Sequence, residues 1–301
     1  MENYLKIYQN KEEYNQEGNK PKLGHIVNDI ELVTPPPTPL ILNEYNFPDA
    51  NFRAALASKL RISEGDEITE AKIAATTSLD VNSKSIADLT GIEHFTALTK
   101  LFCYSNQLTS LDISGCTALT ELYCDNNQLT SLDVSKNTAL TWLDCGKNQL
   151  TSLDASKNTA LTRLDCYQNH LTSLDVSGCT ALKELDCNDN QLTALDVSNN
   201  TALTNLRCDY NQLTSLDVSE CTALQTLYCY DNQLTSLDVS GCTALQTLYC
   251  YDNQLTSLDI SNNPNLLDAY KNGDKIEEDT TVRYVSNGDL CVDKATQIIS
   301  E

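Results

Sequence analysis

The chain has 301 residues, of which 41% are hydrophobic and 21% are charged, and its formal net charge is −22. This composition suffices to bury a sizeable core and excludes a collagen-like or wholly disordered chain. The negative charge repels phosphate backbones, which argues against a nucleic-acid partner. No apolar stretch reaches about 18 residues, so we predict no membrane span.

The amino-terminal part is predicted to hold three segments. Residues 1–34 form a small segment with short strand-like runs, and residues 35–42 form a stiff proline-rich linker. The opening MENYLKIYQN lacks an apolar run behind a basic start, so we expect no secretory signal peptide. Residues 43–76 are predicted to form two short helices that cap the following repeats. Within them, RISEGDEITEAK lacks the ligand pattern of a calcium-binding loop.

Leucine then recurs every 21 residues from Leu98 to Leu245, and each opens a unit such as LTELYCDNNQLTSLDVSKNTA (119–139). Eight full units fill residues 98–265, with a weaker unit before them and a fading one from Leu266. The pattern LxxLxCxxNxL is typical of leucine-rich repeats. For residues 77–270 we therefore predict a leucine-rich-repeat solenoid, in which 21-residue repeats stack into a parallel β-sheet.

Each unit is expected to contain two extended segments. Leu101 and Cys103 alternate with an exposed Phe102, which is the pattern of a half-buried strand, and neighbouring strands lie about 4.8 Å apart. The asparagine that follows is expected to bond backbone groups of the turn. The LTSLDVS half predicts a short extended segment on the opposite side, and little helix outside the amino-terminal cap.

The carboxyl-terminal residues 271–301 contain two alternating runs around Asn287-Gly288. This combination is a hairpin signal. We predict a β-hairpin cap that covers the last open edge of the solenoid.

The unit LTSLDVSxNTALTxLxCxxNQ and the segment FPDANFR…TSLDVNSKSIADLTGIEHFTALTKL resemble leucine-rich-repeat surface proteins of gut bacteria. The likeness covers about 43–299, is strongest to Bacteroidetes and clostridial proteins, and is loosely internalin-like in layout. It implies a secreted or cell-surface protein for adhesion or recognition. Because no signal peptide is expected, a virion-associated or cytoplasmic location stays open, with residues 1–34 as an anchor to a larger particle in the virion alternative.

Eight of the thirteen cysteines occupy one column of the repeat, the cysteine ladder: Cys103, Cys124, Cys145, Cys166, Cys187, Cys208, Cys229 and Cys250. Side chains that point the same way about 4.8 Å apart are too distant for disulfides and do not converge as zinc ligands do. We predict reduced, buried thiols that act as small apolar side chains.

Eight aspartates form a second column, the aspartate ladder: Asp112, Asp133, Asp154, Asp175, Asp196, Asp217, Asp238 and Asp259. Carboxylates stacked at this spacing repel one another. We expect bonds to nearby hydroxyl or backbone groups, together with diffuse counterions, to offset the repulsion. Specific calcium binding is the alternative, and we predict no dedicated metal site.

The exposed columns around each strand vary from unit to unit, whereas the LTSLDVS columns barely change. Aromatic residues and arginine, which anchor many interfaces, concentrate there. We name this surface the strand face. Its predicted ligand-binding residues are Phe102, Tyr104, Tyr123, Trp142, Asp144, Arg163, Asp165, Tyr167, Asp186, Arg207, Tyr210, Tyr228, Tyr230, Tyr249 and Tyr251.

The predicted function is non-enzymatic recognition through the strand face, most readily of a protein partner. A glycan-binding module and a virion- or particle-attached protein anchored by residues 1–34 are the alternatives. The three histidines are scattered and no phosphate loop, nucleophile elbow or HExxH motif occurs, so we predict no enzyme and no cofactor. As a free protein, the chain is expected to be a monomer.

Overall fold

The computed structural model describes residues 38–272 and 289–301, together with the backbone of 275–276 and 282–285. Predictions for residues 1–34 and for most of the 35–42 linker lie outside this part of the chain. Residues Ile41–Glu301 form one unit. Its strands, in chain order, are β1 (Ser78–Asp80), β2 (Lys100–Phe102), β3 (Glu121–Tyr123), β4 (Trp142–Asp144), β5 (Ser152–Asp154), β6 (Arg163–Asp165), β7 (Ser173–Asp175), β8 (Glu184–Asp186), β9 (Asn205–Arg207), β10 (Thr226–Tyr228), β11 (Thr247–Tyr249), β12 (Ser257–Asp259), β13 (Lys275–Ile276), β14 (Val282–Val285), β15 (Leu290–Asp293) and β16 (Gln297–Ile299).

One short strand from each repeat builds the main sheet, in the order β1-β2-β3-β4-β6-β8-β9-β10-β11-β15-β14-β13. From β2 to β11 the strands are parallel and keep a 21-residue register, so that Leu101 pairs with Leu122 and Leu122 with Leu143. These leucines and the adjacent cysteines are fully buried. The predicted parallel solenoid of stacked repeats is therefore confirmed, with identical positions arranged in straight columns.

From the third full repeat onward, the LTSLDVS half of the repeat forms short strands or bridges on the opposite side of the solenoid. There β5 pairs with β7 and β12 with β16, both parallel. In the intervening turns the contact shrinks to isolated bridges, such as that between Asp196 and Asp217. The branched and hydroxyl side chains of this segment disfavour helix, so the solenoid has little helix of its own.

The asparagine ladder comprises Asn106, Asn127, Asn148, Asn169, Asn190, Asn211, Asn232 and Asn253. In a representative turn, the Asn148 Nδ2 donates to the carbonyls of Cys124 and Cys145, both at 3.1 Å, while its Oδ1 accepts from the Leu129 N–H at 2.9 Å. One side chain thus satisfies backbone groups of its own turn and of the preceding one. Since a buried backbone group without a partner costs free energy, this ladder stabilises the stacking.

Helices lie at both ends of the repeats. α1 (Ala50–Leu60) and α2 (Glu70–Ala75) lie within the residues predicted to form the amino-terminal cap, and Phe52 and Leu56 of α1 are fully buried. The fading repeat predicted from Leu266 is wrong, because α3 (Pro264–Asn272) occupies that position. Pro264 begins α3, where the missing N–H of proline costs nothing, and Leu266 turns inward.

At the carboxyl terminus, β14 and β15 pair in antiparallel fashion, as the hairpin signal predicts. The turn around Asn287-Gly288 lies outside the described residues. β15 also pairs in parallel with β11. The second strand of the hairpin therefore extends the main sheet by one more parallel strand.

All thirteen cysteines are buried, and none of them forms a disulfide. Burial raises the pKa of the Cys116 thiol to about 12, and it raises the pKa of each thiol in the cysteine ladder as well. Because the thiolate is the reactive form, we expect the native protein to react very slowly with a thiol reagent and all thirteen cysteines to react after denaturation. Native mass spectrometry that found several disulfides would contradict this expectation.

Candidate functional site on the strand face

The sheet register brings the predicted residues onto one surface. One column of half-buried and buried side chains runs through the last position of each strand: Phe102, Tyr123, Asp144, Asp165, Asp186, Arg207, Tyr228 and Tyr249. Trp142 and Arg163 stand two positions earlier, and Tyr167 and Tyr230 stand two positions later. Most of these side chains are half-buried, not exposed as the alternation predicted, because neighbours 21 residues apart cover one another.

The first aromatic cluster comprises Phe102, Tyr123 and Trp142. The Phe102 and Tyr123 rings stack at 4.9 Å, and the Tyr123 and Trp142 rings lie 5.1 Å apart at 56°. The Arg163 guanidinium closes the row 4.6 Å from the Trp142 ring, which is a cation–π contact. Tyr104, another residue of the predicted strand face, makes no ring contact within the described residues.

The second aromatic cluster comprises Tyr210, Tyr228, Tyr230, Tyr249 and Tyr251. Parallel stacking joins Tyr230 to Tyr251 at 4.6 Å, and an edge contact joins Tyr228 to Tyr249 at 4.8 Å. Tyr210 lies in the turn after β9 at a left-handed φ of 52°, and its edge meets Tyr230 at 5.1 Å. It is 51% exposed, so it projects further into solvent than the strand tyrosines.

Between the two clusters lies an acidic centre, which comprises Asp144, Asp165 and Asp186 in one column of the sheet. These three carboxylates differ in exposure and in their partners. Asp165 is only 6% exposed, since it accepts from Arg163 Nε at 2.7 Å and from Trp142 Nε1 at 3.3 Å. Arg163 also contacts Glu184 at 2.9 Å. Asp165 is therefore buried although it lies in an exposed column of the sequence pattern, and its side chain holds Trp142 and Arg163 in position.

Asp209 also belongs to this centre, and the sequence analysis missed it. Its side chain is buried, 3.6 Å from Arg207 Nε, and the Arg207 guanidinium lies 5.3 Å from the Tyr228 ring. The alternating pattern places residue 209 outside the core, whereas its side chain is buried and interacts with Arg207 and Tyr230. Burial raises the pKa of the Asp209 carboxyl.

Asp144 and Asp186 are half-buried at the acidic centre, and Asp186 lies 3.6 Å from Arg207. Burial, with the nearby Asp125 charge, raises the pKa of Asp144 to about 7. Burial likewise raises the pKa of Asp186 to about 6, against the opposing effect of Arg207. Near neutral pH, ionisation of these two carboxylates therefore costs free energy, and a nearby cation would lower that cost.

A raised carboxyl pKa predicts stability that falls with rising pH, because the folded chain binds more protons than the unfolded chain between about pH 4 and 7. Asp144→Asn should therefore raise the thermal midpoint at pH 8 and raise it by clearly less at pH 5. The matched control is Asp133→Asn. Hydrogen bonds from the Ser135 hydroxyl and N–H lower the pKa of the Asp133 carboxyl, so this substitution removes a charge that stabilises the fold. It should lower the midpoint at pH 8, and a shift of the same sign in both variants would contradict this electrostatic account.

The opposite side of the solenoid uses its aspartates locally. Each member of the aspartate ladder accepts the backbone N–H of the serine two residues later, for example Asp133 from Ser135 at 2.9 Å. These bonds close the turns, as predicted. Within the described residues, no group of three or more histidine, cysteine, aspartate or glutamate side chains is arranged to hold a metal ion.

The family model described as Leucine Rich repeats (2 copies) matches residues 96–137, 159–200 and 201–241. Together with the sheet register, this match assigns the stacked repeats to the leucine-rich-repeat solenoid fold. Its relatives include internalin J of Listeria monocytogenes serotype 4b (strain F2365), 48% identical over 68 residues, which are 23% of this chain and 7% of that protein. The chain thus spans only a small part of this curated relative.

Solved structures show the same fold. The functional domain of InlJ from Listeria monocytogenes, described as including a cysteine ladder, is 42% identical, with a TM-score of 0.61 over 76% of this chain and 55% of that domain. The leucine-rich effector YopM of Yersinia pestis is 26% identical, with a TM-score of 0.57 over 71% and 58% of the two chains. The comparisons support the internalin-like part of the resemblance. They do not support a Bacteroidetes or clostridial origin.

Proposed function

We propose that the protein is a non-enzymatic recognition protein that binds a protein partner across the strand face, in adhesive contact at a cell surface. The observation that carries this proposal is the contrast between the two sides of one solenoid. The LTSLDVS side repeats the same side chains, and its aspartates accept hydrogen bonds within their own turns. The side chains of the strand face instead change at nearly every turn and include preformed aromatic clusters. Pre-ordered aromatic rings supply contact area at low entropy cost.

Charge narrows the class of partner. Asp144 and Asp186 lie between the aromatic clusters, and both arginines of the face are engaged with carboxylates. Lys147 adds a positive charge beside the Tyr167 ring. Acidic side chains outnumber it on the strand face, so the net charge of this face is negative, which favours a partner with a basic surface. Among the described residues, no helix is long and apolar enough to cross a membrane.

The experiment is a protein and glycan array probed with the purified protein, followed by variants against the partner it identifies. Trp142→Ala and Tyr228→Ala should each weaken binding about 30-fold, which corresponds to the ~2 kcal/mol typical of an interface anchor. Ser135→Ala, an exposed position on the LTSLDVS side, is the control and should change affinity less than about twofold. Loss of binding in the control but not in the strand-face variants would place recognition elsewhere, and a glycan hit alone would replace the protein partner.

A further inference from the structure

A column of side chains runs along one edge of the strand face, at the turn that follows each strand of the main sheet. In each full repeat, one residue of this turn adopts a left-handed φ between 50° and 54°. Backbone bonds join successive turns there, because the Asn190 N–H donates to the Tyr210 carbonyl and the Asn211 N–H to the Asp231 carbonyl, both at 3.1 Å. The side chains at this position therefore follow the spacing of the stacked turns, about 4.8 Å.

The character of this column changes halfway along the solenoid. In the first four full repeats its side chains are neutral or basic: Ser105, Asn126, Lys147 and Gln168. In the last four they are Asp189, Tyr210, Asp231 and Asp252, which we name the turn ridge. Every charged residue of 208–270 is an aspartate or a glutamate. From Tyr210 onward, the turn ridge therefore belongs to a part of the sequence that contributes no basic side chain.

Tyr210, the aromatic member of the turn ridge, is 51% exposed and makes an edge contact with the Tyr230 ring at 5.1 Å. Within the described residues, no cation lies over its ring. Arg207, three residues earlier, is directed to Asp186 and to the Tyr228 ring instead. An exposed ring that no cation of the chain covers can receive a cation from a partner.

Tyr210 lies among aspartates. Burial, followed by the charges of four carboxylates, raises the pKa of its phenol, and these four are Asp231, Asp209, Asp252 and Asp189. Burial, followed by the charges of Asp252, Asp209 and Asp293, likewise raises the pKa of the Asp231 carboxyl. A cation placed on the Tyr210 ring would therefore meet carboxylates on both sides along the column.

Asp209 lies beneath the turn ridge, next to Tyr210, and its charge is poorly compensated. Its side chain is buried, yet neither carboxylate oxygen makes a hydrogen bond of ordinary geometry within the described residues. Its contacts are longer ones, with Arg207 Nε at 3.6 Å and with the Tyr230 phenol. Because so little compensates this carboxylate, its charge favours a cation bound on the surface above it.

We propose that the turn ridge receives a basic segment of the protein partner, with an arginine guanidinium on the Tyr210 ring and between the Asp189 and Asp231 carboxylates. The proposal rests on the proposed function and adds the chemical group that the partner presents and the place where it binds. A guanidinium fits because it is planar, stacks on aromatic faces and donates hydrogen bonds to carboxylates. Since Lys147 occupies the other half of the column, a basic segment should dock on the carboxyl-terminal half alone.

The probe is tetra-arginine, and its uncharged analogue tetracitrulline is the matched ligand. At pH 7 and low salt, the anisotropy of rhodamine-labelled tetra-arginine should rise saturably with added protein, and that of tetracitrulline should not. Tyr210→Asn should raise the Kd about fivefold because it removes the cation–π contact, whereas Tyr210→Phe keeps the ring and should stay within about twofold. Asn126 occupies the equivalent turn position, so asparagine should leave the turn intact.

Charge reversal at two positions separates the turn ridge from the general negative charge of the chain. Asp231→Lys should raise the Kd roughly tenfold, since it sets a like charge against the arginine of the probe. Glu220→Lys makes the same change of net charge at an exposed position after an LTSLDVS segment, and it should raise the Kd less than about twofold. Both variants should fold, because Lys147 and Lys136 occupy the equivalent positions of other repeats.

Equal weakening by Asp231→Lys and Glu220→Lys, equal binding of tetracitrulline, or an unchanged Kd in Tyr210→Asn would overturn the proposal. If tetra-arginine fails to bind while Trp142→Ala still weakens binding of the array partner, the turn ridge is wrong and the strand-face function stands. If the array partner is indifferent to Trp142→Ala, Tyr228→Ala and Asp231→Lys alike, the function itself fails.

Discussion

Leu164→Ala should destabilise the solenoid by about 2–5 kcal/mol, the usual cost of truncating a fully buried leucine. Leu164 is 0% exposed and pairs in register with Leu143 and Leu185, so its loss opens a cavity between two successive turns. Each turn depends on its neighbours for burial, and the midpoint of chemical denaturation should fall accordingly. Equilibrium unfolding in urea, followed by circular dichroism, measures the effect.

The control for this variant is Thr172→Ala in the same repeat. Thr172 is exposed, and its hydroxyl makes only a 3.3 Å bond to the Thr151 carbonyl. A change within about 0.5 kcal/mol is expected. Equal destabilisation by the two substitutions would mean that the inward-facing columns are assigned incorrectly.

Asn169→Ala should cost about 2–4 kcal/mol, from a lost buried hydrogen-bond network and a small cavity. The Asn169 Oδ1 accepts from the Leu150 N–H at 3.0 Å, and its Nδ2 donates to the carbonyls of Cys145 and Cys166, both at 3.1 Å. The two carbonyls retain amide donors from Asn148 and Asn190, whereas the buried Leu150 N–H loses the side chain that accepts from it. The orphaned N–H therefore dominates the cost.

The neighbouring His170→Ala provides the comparison, because His170 is exposed and replaces the glutamine common to that column. Its unfolding free energy should stay within about 0.5 kcal/mol of the unchanged protein. If Asn169→Ala were equally mild, the asparagine ladder would be incidental to stacking, and the leucine columns alone would hold the turns together.

The sequence predicted the repeat, the inward columns and the parallel register because a strict 21-residue period leaves no other way to stack eight similar turns. The alternation of Leu101 and Cys103 was sufficient to identify the buried side of every strand. The same period also placed the predicted strand-face residues in their columns. Position along a solenoid is thus readable from spacing alone.

Side-chain pairing was not readable from spacing. Asp144 and Asp165 occupy the same column, but only Asp165 is sequestered, since Arg163 and Trp142 turn toward it. Gly146 gave no hint that it makes room for the ring of Tyr167. α3 was also missed, because its leucines continue the repeat spacing while Pro264 favours the start of a helix. Side-chain rotamers determine the contacts of Asp165 and Tyr167, and local capping determines where α3 begins. A periodic sequence pattern predicts neither the rotamers nor the caps.

The most direct test of the account is hydroxyl-radical footprinting of the protein with and without the partner found on the array. Modification of Tyr210, Tyr228 and Trp142 should fall on binding, whereas modification of residues in the LTSLDVS segments should stay unchanged. Tyr210 is the most sensitive reporter, being 51% exposed in the free protein. Protection of the LTSLDVS segments with unchanged strand-face tyrosines would contradict the assignment of the recognition surface.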